Sequence, residues 1–451
     1  MCWFHSIMSV GFGSLQTVFL RRLCTHRTVL RLSTTATARS HGLPEKRSES
    51  LHIQGRDYVP DSFTNVTPRI LSHLDRKLHL EKCHPLQLLK QRIVNFFFKN
   101  YVNRIGNPIF SVYDRLGCVV TLEQNFDSLL VPADHPSRGK SDSYYVNSKY
   151  MLRAHTSAHQ RDLIQSGLDS FLVVGDVYRR DEIDSQHYPV FHQVEGVRLL
   201  TEEQLFNEQS CRDSLHLFED GVREEEKQEC HTLEADKVLQ HGLKTCLESL
   251  ARHLFGPETE MRWSSTYFPF THPSWELEVK FQGDWLELLG CGIVEQQILY
   301  NAGVERKVGW AFGLGLERIA MKLYNISDIR VFWSKDPGFF AQFQHNDPYM
   351  PVSFKPLSSH PPCLADMSFW VPEGFQEMDF FDLVRSVGGD FVERVQKVDV
   401  FTHPKTKRTS YCFRIVYRNM ERVMLQEEAN AIHMDIGHHA QQSLGVELRI
   451  K

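Results

Sequence analysis

The sequence lacks any long apolar segment and any closely spaced pair of cysteines. No uncharged apolar run approaches the roughly 18 residues that a membrane-spanning helix needs, which argues against an integral membrane protein. The ten cysteines are scattered, and none forms a C-x-x-C pair. Because structural zinc sites usually draw ligands from such short spacings, we expect no zinc, and free thiols in a reducing compartment instead.

The sequence also lacks a strong excess of either charge. It has 51 basic and 56 acidic residues, for a formal net charge of -5. This balance disfavours a generally basic nucleic-acid binder, although a local basic patch remains possible. A hydrophobic content of 41% and a charged content of 24% are typical of a soluble globular protein. The length of 451 residues allows two or three domains.

Acidic residues are missing from the start of the chain, where the first is Glu45. The preceding segment is rich in serine, threonine and alanine at 33–40, and it carries several arginines: Arg21, Arg22, Arg27, Arg31 and Arg39. An acid-free, loosely amphipathic segment of this composition is typical of a mitochondrial transit peptide. We therefore predict a transit peptide at 1–40 and a location in the mitochondrial matrix. The alternative is a disordered tail.

Apolar spacing divides the rest of the chain into an N-terminal extension at 45–83, a domain at 84–335, a linker at 336–358 and a C-terminal domain at 359–451. The extension is predicted to hold one helix near 67–80. In the following domain, helical spacing predicts helices at 84–101 and 155–167, and 309–326 is predicted to be a glycine-rich strand end that runs into a helix. Alternation predicts strands at 143–147, 266–281 and 284–294. The charged stretch at 201–255 is predicted to be helical, with 223–227 as a solvated helix face.

The C-terminal domain has a different pattern. A strand at 365–371 precedes a helix at 374–389 that ends at a Gly-Gly pair. A hairpin at 391–418, a helix at 425–444 and a strand at 445–451 follow. The order βαββαβ predicts a ferredoxin-like module.

One stretch, 174–198, brings unusual side chains together. It reads as a strand, a charged loop and a second strand. Arg179 ends the first strand, and Phe191, Gln193 and Glu195 alternate along the second. Because side chains two positions apart share a face, a guanidinium, an aromatic ring, an amide and a carboxylate converge. That set suits a phosphate, a flat base and an ammonium group, as in an amino acid that is being joined to ATP.

Four segments appear in a specific order: HTSAHQ at 155–160, VYRRDEIDSQHYPVFHQVEG at 177–196, YFPFTHP at 267–273 and AFGLGLER at 311–318. Together they resemble the catalytic core of class II phenylalanyl-tRNA synthetases. The C-terminal module resembles the anticodon-binding domain of that family, so the resemblance covers 84–451. It implies an α+β protein with an antiparallel sheet flanked by helices. It also implies a monomer that uses ATP and Mg²⁺ to join L-phenylalanine to tRNA(Phe) through an adenylate.

The resemblance implies roles in the ATP site. Arg179 matches the arginine that stabilises the reacting α-phosphate, and Phe191 matches the residue on which adenine stacks. Arg318 should cover the other face of adenine and reach the γ-phosphate, while Glu287 should hold Mg²⁺ with ATP. The alternatives are core packing for Phe191 and an outward-facing strand position for Glu287. The loop that contacts ATP or the tRNA acceptor end should contain Gln186, His187 and Tyr188.

The resemblance also implies a phenylalanine pocket. Gln193 and Glu195 should hold the amino group, and Ala311 is the small residue beneath the ring. Phe268 and Phe270 are predicted to point the same way from one strand and to contact the substrate ring edge-to-face. Their alternative is a place in the core. The remaining predicted pocket residues are His155, Ser157, Gln160 and Phe312. Either Thr156 or Ser157 is expected to cap the helix at 155–167.

Some features depart from the family or point to it weakly. Bacterial relatives usually have an acid at His272 and His-Pro at Glu295-Gln296. No segment resembles the editing domain of the bacterial second subunit, so we expect only modest discrimination against tyrosine. The residues predicted to contact tRNA lie at the C-terminal hairpin turn and are Lys405, Lys407 and Arg408. The rival functions are another class II ligase specificity and a non-catalytic RNA-binding paralogue.

Overall fold

The computed structural model describes most of the chain. The described residues are 50–74, 76–206, 215–345, 347–355, 361–419 and 422–449. The predicted transit peptide at 1–40 and the last residues of the predicted linker lie outside them. Within the described ranges, no helix is both long and apolar enough to span a membrane.

Helices and strands are distributed over the whole described chain. The helices are α1 (Pro68–Leu71), α2 (Pro85–Asn100), α3 (Leu122–Asn125), α4 (Gln160–Gln165), α5 (Glu202–Leu205), α6 (Leu233–Phe255), α7 (Gln296–Asn301), α8 (Leu316–Tyr324), α9 (Pro337–Ala341), α10 (Glu377–Gly388) and α11 (Gln426–Leu444). The strands are β1 (Leu51–Ile53), β2 (Arg56–Tyr58), β3 (Ser111–Tyr113), β4 (Val119–Thr121), β5 (Tyr150–Leu152), β6 (Ser170–Tyr178), β7 (Val190–Leu200), β8 (Met261–Phe268), β9 (Thr271–Phe281), β10 (Asp284–Val294), β11 (Val308–Gly315), β12 (Cys363–Trp370), β13 (Val392–Thr402), β14 (Thr409–Tyr417) and β15 (Glu447–Leu448).

A seven-stranded sheet in the order β3-β6-β7-β11-β10-β9-β8 forms the centre of the large domain. The prediction of an antiparallel sheet flanked by helices is confirmed for all neighbours except one. β3 pairs with β6 in parallel at the edge of the sheet. A hairpin makes neighbours antiparallel, whereas the chain from β3 to β6 is a long crossover that returns in the same direction. The sheet is therefore mixed.

The two faces of this sheet bury different residues because alternate side chains point to opposite sides. One face carries Trp310, Phe312 and Leu314 of β11 against helices α2, α6 and α8. Helix α2 forms as predicted: the His84 side chain accepts from the amide of Leu86 at its start. The opposite face carries Phe191, Gln193, Glu195 and Ala311, and the candidate site lies there.

The C-terminal module has the predicted βαββαβ order. Its sheet runs β13-β14-β12-β15, with every pair antiparallel. Helix α10 ends at Gly388, and the next residue, Gly389, has a positive φ of 55° that favours glycine, in agreement with the predicted Gly-Gly terminus. The core of this module also takes in Ile183, which belongs to the loop between β6 and β7. The two domains therefore share a packed contact.

Two predictions near the N-terminus are wrong in extent. The extension contains the β1–β2 hairpin, and its predicted helix near 67–80 is only the single turn α1 followed by a 3-10 turn at Leu78–Leu80. The predicted strand at 143–147 is irregular apart from a bridge between Tyr145 and Met151. Tyr144, Tyr145 and Val146 are all buried, so the alternating residue pattern does not reflect an inside and an outside face.

The helix predicted at 155–167 begins differently from expectation. A 3-10 turn at Thr156–His159 leads into α4, and neither helix start has a side-chain cap. The hydroxyl of Thr156 instead donates to Glu195 Oε2 at 3.1 Å. The capping prediction is therefore wrong, because the threonine hydroxyl has a buried carboxylate as a competing acceptor.

The charged stretch at 201–255 is helical only in α5 and α6 among its described residues, and 207–214 lie outside them. The predicted helix face at 223–227 is an irregular segment. Arg223 binds Glu229 and Glu295, and the ammonium of Lys227 lies 2.6 Å from Glu219. These ion pairs hold the segment against the sheet, so its charges are not simply solvated.

The strand predicted at 266–281 is two strands, β8 and β9, joined at Pro269-Phe270. Phe268 ends β8 and Phe270 lies in the turn. Their rings nevertheless stack, with centroids 5.7 Å apart and planes 8° apart. The prediction that both point from one strand is wrong, but the turn brings the two rings together.

Candidate active site

A cavity on the open face of the sheet gathers residues from distant parts of the chain. It is bordered by β7, β10, β11, the 3-10 turn at Thr156–His159 and the loop after β6. The predicted residues that line it are His155, Ser157, Gln160, Arg179, Gln186, His187, Tyr188, Phe191, Gln193, Glu195, Phe268, Phe270, Glu287, Ala311, Phe312 and Arg318. Lys405, Lys407 and Arg408 lie elsewhere, on the C-terminal hairpin.

Arg179 follows the last residue of β6 and is fixed at its Nε atom. Nε donates to the carbonyl of Ala154 at 2.8 Å. Its guanidinium carbon lies 5.2 Å from the centre of the Phe191 ring. One strand end thus places a cation beside an aromatic ring at the cavity, an arrangement that suits a phosphate joined to a planar base.

Arg318 and Glu287 lie on another border of the cavity. Arg318 Nη1 is 3.4 Å from Glu287 Oε2, and both side chains are partly exposed. The first turn of α8 supplies the arginine, and β10 supplies the carboxylate. A partly exposed ion pair of this kind contributes little to the free energy of unfolding. Both groups can therefore exchange each other for a charged ligand at little cost.

A second carboxylate, Glu276, lies near Glu287 and was missed from the sequence. Burial and, secondly, repulsion by Glu287 raise the pKa of Glu276 to about 7. Its Oε1 is buried and has no hydrogen-bond partner within the described part of the chain. Alternation along β9 could have placed it on this face, but only the pairing of β9 with β10 brings it close to Glu287.

These carboxylates fit a magnesium ion that arrives with ATP. Mg²⁺ is commonly held by one or two carboxylates together with substrate phosphates. The described residues contain no group of three or more histidine, cysteine or acidic side chains that could hold a metal ion. The donor set therefore suits a nucleotide-bound ion rather than an all-protein cage.

Glu195 is a buried carboxyl that lines the cavity. It is 3% exposed, and burial raises the pKa of its carboxyl to about 7 against the opposing effect of hydrogen bonds from Ser157 and Thr156. The amide oxygen of Gln193 accepts from the backbone N–H of Thr156 at 3.3 Å. Within the described ranges this buried carboxylate forms no ion pair, so it is well suited to an ammonium group. Thr156, expected only as a cap, belongs to this polar set.

His155 and Gln160 border the same end. His155 Nε2 donates to the carbonyl of Asn125 at 3.0 Å, and burial followed by the charge of Arg179 lowers its pKa to about 3. The imidazole is therefore neutral at physiological pH. Gln160 is 2% exposed, so its amide is a neutral, desolvated group beside the cavity.

The apolar part of the cavity has one wall of stacked rings and an open floor. Phe268 and Phe270 form the wall, and Ala311 of β11 lies in the floor. Neither Gly313 nor Gly315 has any neighbour within 4 Å of the place where a Cβ would stand. Two glycines on the cavity side of β11 thus leave room for a ligand.

Phe312 borders the cavity, but its ring does not form the pocket wall. It stacks on Phe97 of α2, with centroids 5.6 Å apart and planes 7° apart. Gly196 lies directly beneath it, where a Cβ would come within 2.2 Å of the ring. Because Phe312 alternates with Ala311, it faces the helix layer on the other side of the sheet.

The loop between β6 and β7 reaches both domains. Within this loop, the hydrogen bond between His187 and Asp184 raises the pKa of His187. Gln186, in the same loop, borders the cavity. Tyr188 lines the cavity, but its hydroxyl lies 2.9 Å from His73 Nε2 and 3.2 Å from Asp390 Oδ1 of the C-terminal module. The polar end of Tyr188 therefore takes part in the contact between the domains.

Family models match almost the whole described chain. One, described as tRNA synthetases class II core domain (F), matches 71–211 and 225–343, and the ferredoxin-fold anticodon binding domain matches 358–449. The mitochondrial phenylalanine–tRNA ligase of Mus musculus is 56% identical over 88% of this chain and 89% of its own length. A probable mitochondrial phenylalanine–tRNA ligase of Drosophila melanogaster is 50% identical over 93% of this chain and 97% of its own. The chain belongs to the mitochondrial phenylalanine–tRNA ligase family. The phenylalanine–tRNA ligase alpha subunit of Caldicellulosiruptor bescii is more distant, at 35% identity over 49% of this chain and 59% of its own.

His272 and Glu295 of this ligase both bind the same segment, 219–231. Arg223 donates to both oxygens of Glu295 at 2.9 and 2.7 Å, and His272 Nε2 donates to the carbonyl of Glu224 at 2.7 Å. The amide of Glu295 in turn donates to the carbonyl of Phe270 at 3.1 Å. His272 and Glu295 therefore anchor this segment beside the aromatic wall of the ligase.

The C-terminal module of the ligase groups the predicted Arg408 with three residues that the sequence did not single out, Trp370, Phe401 and Arg449. Arg408 and Arg449 lie over the Trp370 ring at 5.2 and 5.0 Å, and Arg449 also lies 5.4 Å from the Phe401 ring. Arg408 also pairs with Glu447 at 2.5 Å. The paired strands collect these residues, which are far apart in sequence.

Proposed function

We propose that this cavity activates L-phenylalanine with ATP and then transfers it to tRNA(Phe). In the first step an oxygen of the phenylalanine carboxylate bonds to the α-phosphorus of ATP. The bond from that phosphorus to the bridging oxygen breaks, and pyrophosphate leaves with its electron pair. In the second step a ribose hydroxyl at the tRNA end attacks the acyl carbon and AMP leaves. The observation that carries the proposal is Arg179 over Phe191, with buried Glu195 on the same face of β7.

Arg179 acts on the reacting phosphate. Negative charge grows on the α-phosphoryl oxygens during attack, and a guanidinium already in place stabilises it without reorganisation. The bond from its Nε to the carbonyl of Ala154 holds the group beside Phe191 at the cavity.

Phe191 and Arg318 enclose adenine, and Arg318 also reaches the γ-phosphate. A guanidinium suits both tasks because it is planar and charged. Glu287, supported by Glu276, would hold Mg²⁺, which when bound neutralises charge on the phosphates. The proximity of Glu287 to Arg318 supports this division, because both groups then meet the same end of ATP.

Glu195 and Gln193 hold the ammonium group of phenylalanine. His155, Ser157 and Gln160 surround the amino acid and its carboxylate, with Thr156 fixing Gln193 and Glu195. Phe268 and Phe270 contact the ring from one side, and Ala311 leaves space beneath it. The buried anion suits the ammonium group that amino acids share, and the aromatic wall suits the phenyl ring, which distinguishes phenylalanine from most other amino acids.

The tRNA contacts the protein at two places, the mouth of the cavity and the C-terminal module. Gln186 and His187 lie where the acceptor end must approach the cavity. The open sheet face of the C-terminal module, with Trp370 and Arg449, suits unstacked bases of an anticodon loop. Arg408 adds to this face, and Lys405 and Lys407 lie on the hairpin beside it. The enzyme acts as a monomer in the mitochondrial matrix, with 1–40 as its transit peptide.

ATP–pyrophosphate exchange separates the two steps. We expect Arg179→Ala to lower phenylalanine-dependent exchange by at least about 10²-fold, because removal of one charge-stabilising donor typically costs that much. Arg449→Ala is expected to leave exchange intact and to lower charging of tRNA(Phe). Exchange driven better by another amino acid would favour a different class II specificity. An absence of exchange with every amino acid would favour a non-catalytic paralogue.

A further inference from the structure

Phe191 and Arg318 are each adjacent in sequence to one member of a buried pair. His192 Nδ1 donates to Glu317 Oε1 at 2.6 Å, and the backbone N–H of His192 donates to Glu317 Oε2 at 2.8 Å. Their side chains are 0% and 4% exposed. We propose that His192 and Glu317 are positioning residues that set the separation of the two groups enclosing adenine, an inference that rests on the proposed ATP site.

The pairing of β7 with β11 explains why a carboxylate is needed here. The ladder between them ends at Gln193 opposite Gly315. The chain then leaves the sheet and enters α8, so no further β11 residue faces His192. Glu317, in the first turn of α8, accepts the amide that lies just past the end of the ladder. One carboxylate thereby ties the strand that carries Phe191 to the helix that carries Arg318.

The His192 ring is held as firmly as its amide. It packs against His79, with centroids 5.2 Å apart, and against Trp333 at 6.1 Å. Its Nε2 is buried and has no hydrogen-bond partner within the described residues. Among the described residues, the hydrogen bond from Nδ1 to Glu317 is therefore the one that fixes the orientation of the ring. Both oxygens of Glu317 serve His192, so loss of the Glu317 side chain releases both bonds, whereas loss of the His192 side chain releases only the bond to the ring.

The phenylalanine end does not depend on this connection. Gln193 and Glu195 face Gly315 and Gly313 in the ladder with β11. Their side chains also bind the N–H and hydroxyl of Thr156. A weakened His192–Glu317 pair should thus disturb ATP more than phenylalanine. A general loss of folding would affect both substrates alike.

Kinetics of ATP–pyrophosphate exchange on the full chain test the positioning role of the His192–Glu317 pair. Glu317→Ala is expected to raise KM for ATP and so to lower kcat/KM for ATP by about 10²-fold, the cost of a displacement near 1 Å, with KM for phenylalanine changed by less than about threefold. His192→Leu should give a smaller defect of the same kind, because its backbone N–H still reaches Glu317. His192→Asn should restore much of the loss in His192→Leu, because its amide nitrogen can occupy the place of Nδ1. Glu317→Gln should restore much of the loss in Glu317→Ala, because its amide oxygen can still accept the backbone N–H of His192.

His231→Leu is the matched control. His231 and Asp236 form another buried histidine–carboxylate pair, 2.7 Å apart and away from the ATP site. This variant is expected to lower the melting temperature without a selective change in KM for ATP. Thermal unfolding of every variant accompanies the kinetics.

The outcomes are distinct. A selective ATP defect with rescue by the conservative variants supports the positioning role. An unchanged KM for ATP in folded variants, or an equal loss toward both substrates, overturns it. Arg318→Ala is the reference for the ATP site itself. If Arg318→Ala is defective and His192→Leu is not, the inference fails alone; if Arg318→Ala is normal, the proposed ATP site fails and the inference with it.

Discussion

Glu195 shows how a single buried carboxyl can set the pH range over which a site binds its ligand. The carboxyl of Glu195 is almost fully buried, and burial raises its pKa to about 7. The proposed ligand would bring a positive charge to this carboxyl. Burial of the carboxyl therefore supports the proposal that it binds an ammonium group.

We predict that phenylalanine use falls as pH decreases below about 7. The protonated Glu195 cannot pair with the substrate ammonium, so kcat/KM for phenylalanine should fall about tenfold per pH unit below that pKa. Glu195→Gln should lower phenylalanine use and abolish this pH limb. Glu276→Gln is the control, because Glu276 also has a pKa near 7; a limb that disappears only in Glu276→Gln would contradict the assignment.

The same carboxyl has an opposite effect on stability. Its pKa in the folded protein is above the usual value of 4.5, so the folded state binds more protons than the unfolded state between these values. The contribution of Glu195 to the free energy of unfolding is therefore greatest at low pH and is lost as pH rises to about 7. Glu195→Gln should flatten this dependence in thermal unfolding of the ligand-free protein.

At the scale of elements, the segment 219–231 acts as a brace for the hairpin that bears the aromatic wall. It binds Glu295 through Arg223 and the β9 residue His272 through Glu224. Gln228 also donates to the carbonyls of His272 and Val294 at 2.9 and 3.0 Å. Three side chains thus hold an irregular segment against the strand ends beside Phe270.

We predict that Arg223→Ala loosens this brace. Loss of the guanidinium leaves the buried Glu295 without its bidentate partner, which should cost about 1–3 kcal/mol in the free energy of unfolding. KM for phenylalanine should rise while KM for ATP stays near its original value. Arg262→Ala, which removes a surface ion pair with Glu278, is the matched control. It should change neither the free energy of unfolding nor KM for phenylalanine appreciably. Equal effects of the two variants on KM for phenylalanine would rule the brace out.

At the scale of the whole molecule, the two domains meet through buried charges. Arg180 Nε donates to Asp382 Oδ2 at 2.6 Å, and the Tyr144 hydroxyl donates to Asp382 Oδ1 at 2.7 Å. Arg180 also pairs with Asp379 at 2.8 Å. Together with Ile183 in the C-terminal core, these bonds attach the loop after β6 to α10. The loop next to Arg179 is therefore part of both domains.

We predict that Arg180→Met separates the unfolding of the two domains. Removal of one partner from a buried pair leaves an uncompensated charge and typically costs about 3–5 kcal/mol. Calorimetry should show the C-terminal module melting earlier, as a transition of its own. Arg414→Met breaks an exposed pair with Asp366 in the same module and is expected to cost less than about 1 kcal/mol. A single unshifted transition for Arg180→Met would contradict the prediction.

Alternation and motif order determined much of this molecule from the sequence alone. Period-two spacing put Phe191, Gln193 and Glu195 on one face of β7, and the βαββαβ pattern predicted the C-terminal fold. The folded structure agrees with such local patterns because they depend on backbone geometry within one element. Where a buried partner competed, as Glu195 does for the Thr156 hydroxyl, the local prediction of a helix cap was wrong.

Tertiary structure alone decided which distant residues meet. Strand register brought Glu276 beside Glu287, the end of a ladder brought Glu317 to His192, and domain packing placed Ile183 in the C-terminal core. Periodicity assigns a side chain to a face, but it carries no information about the partner across the sheet. That choice depends on strand pairing and desolvation over the whole fold, so the reactive groups could be named from the sequence while the groups that hold them could not.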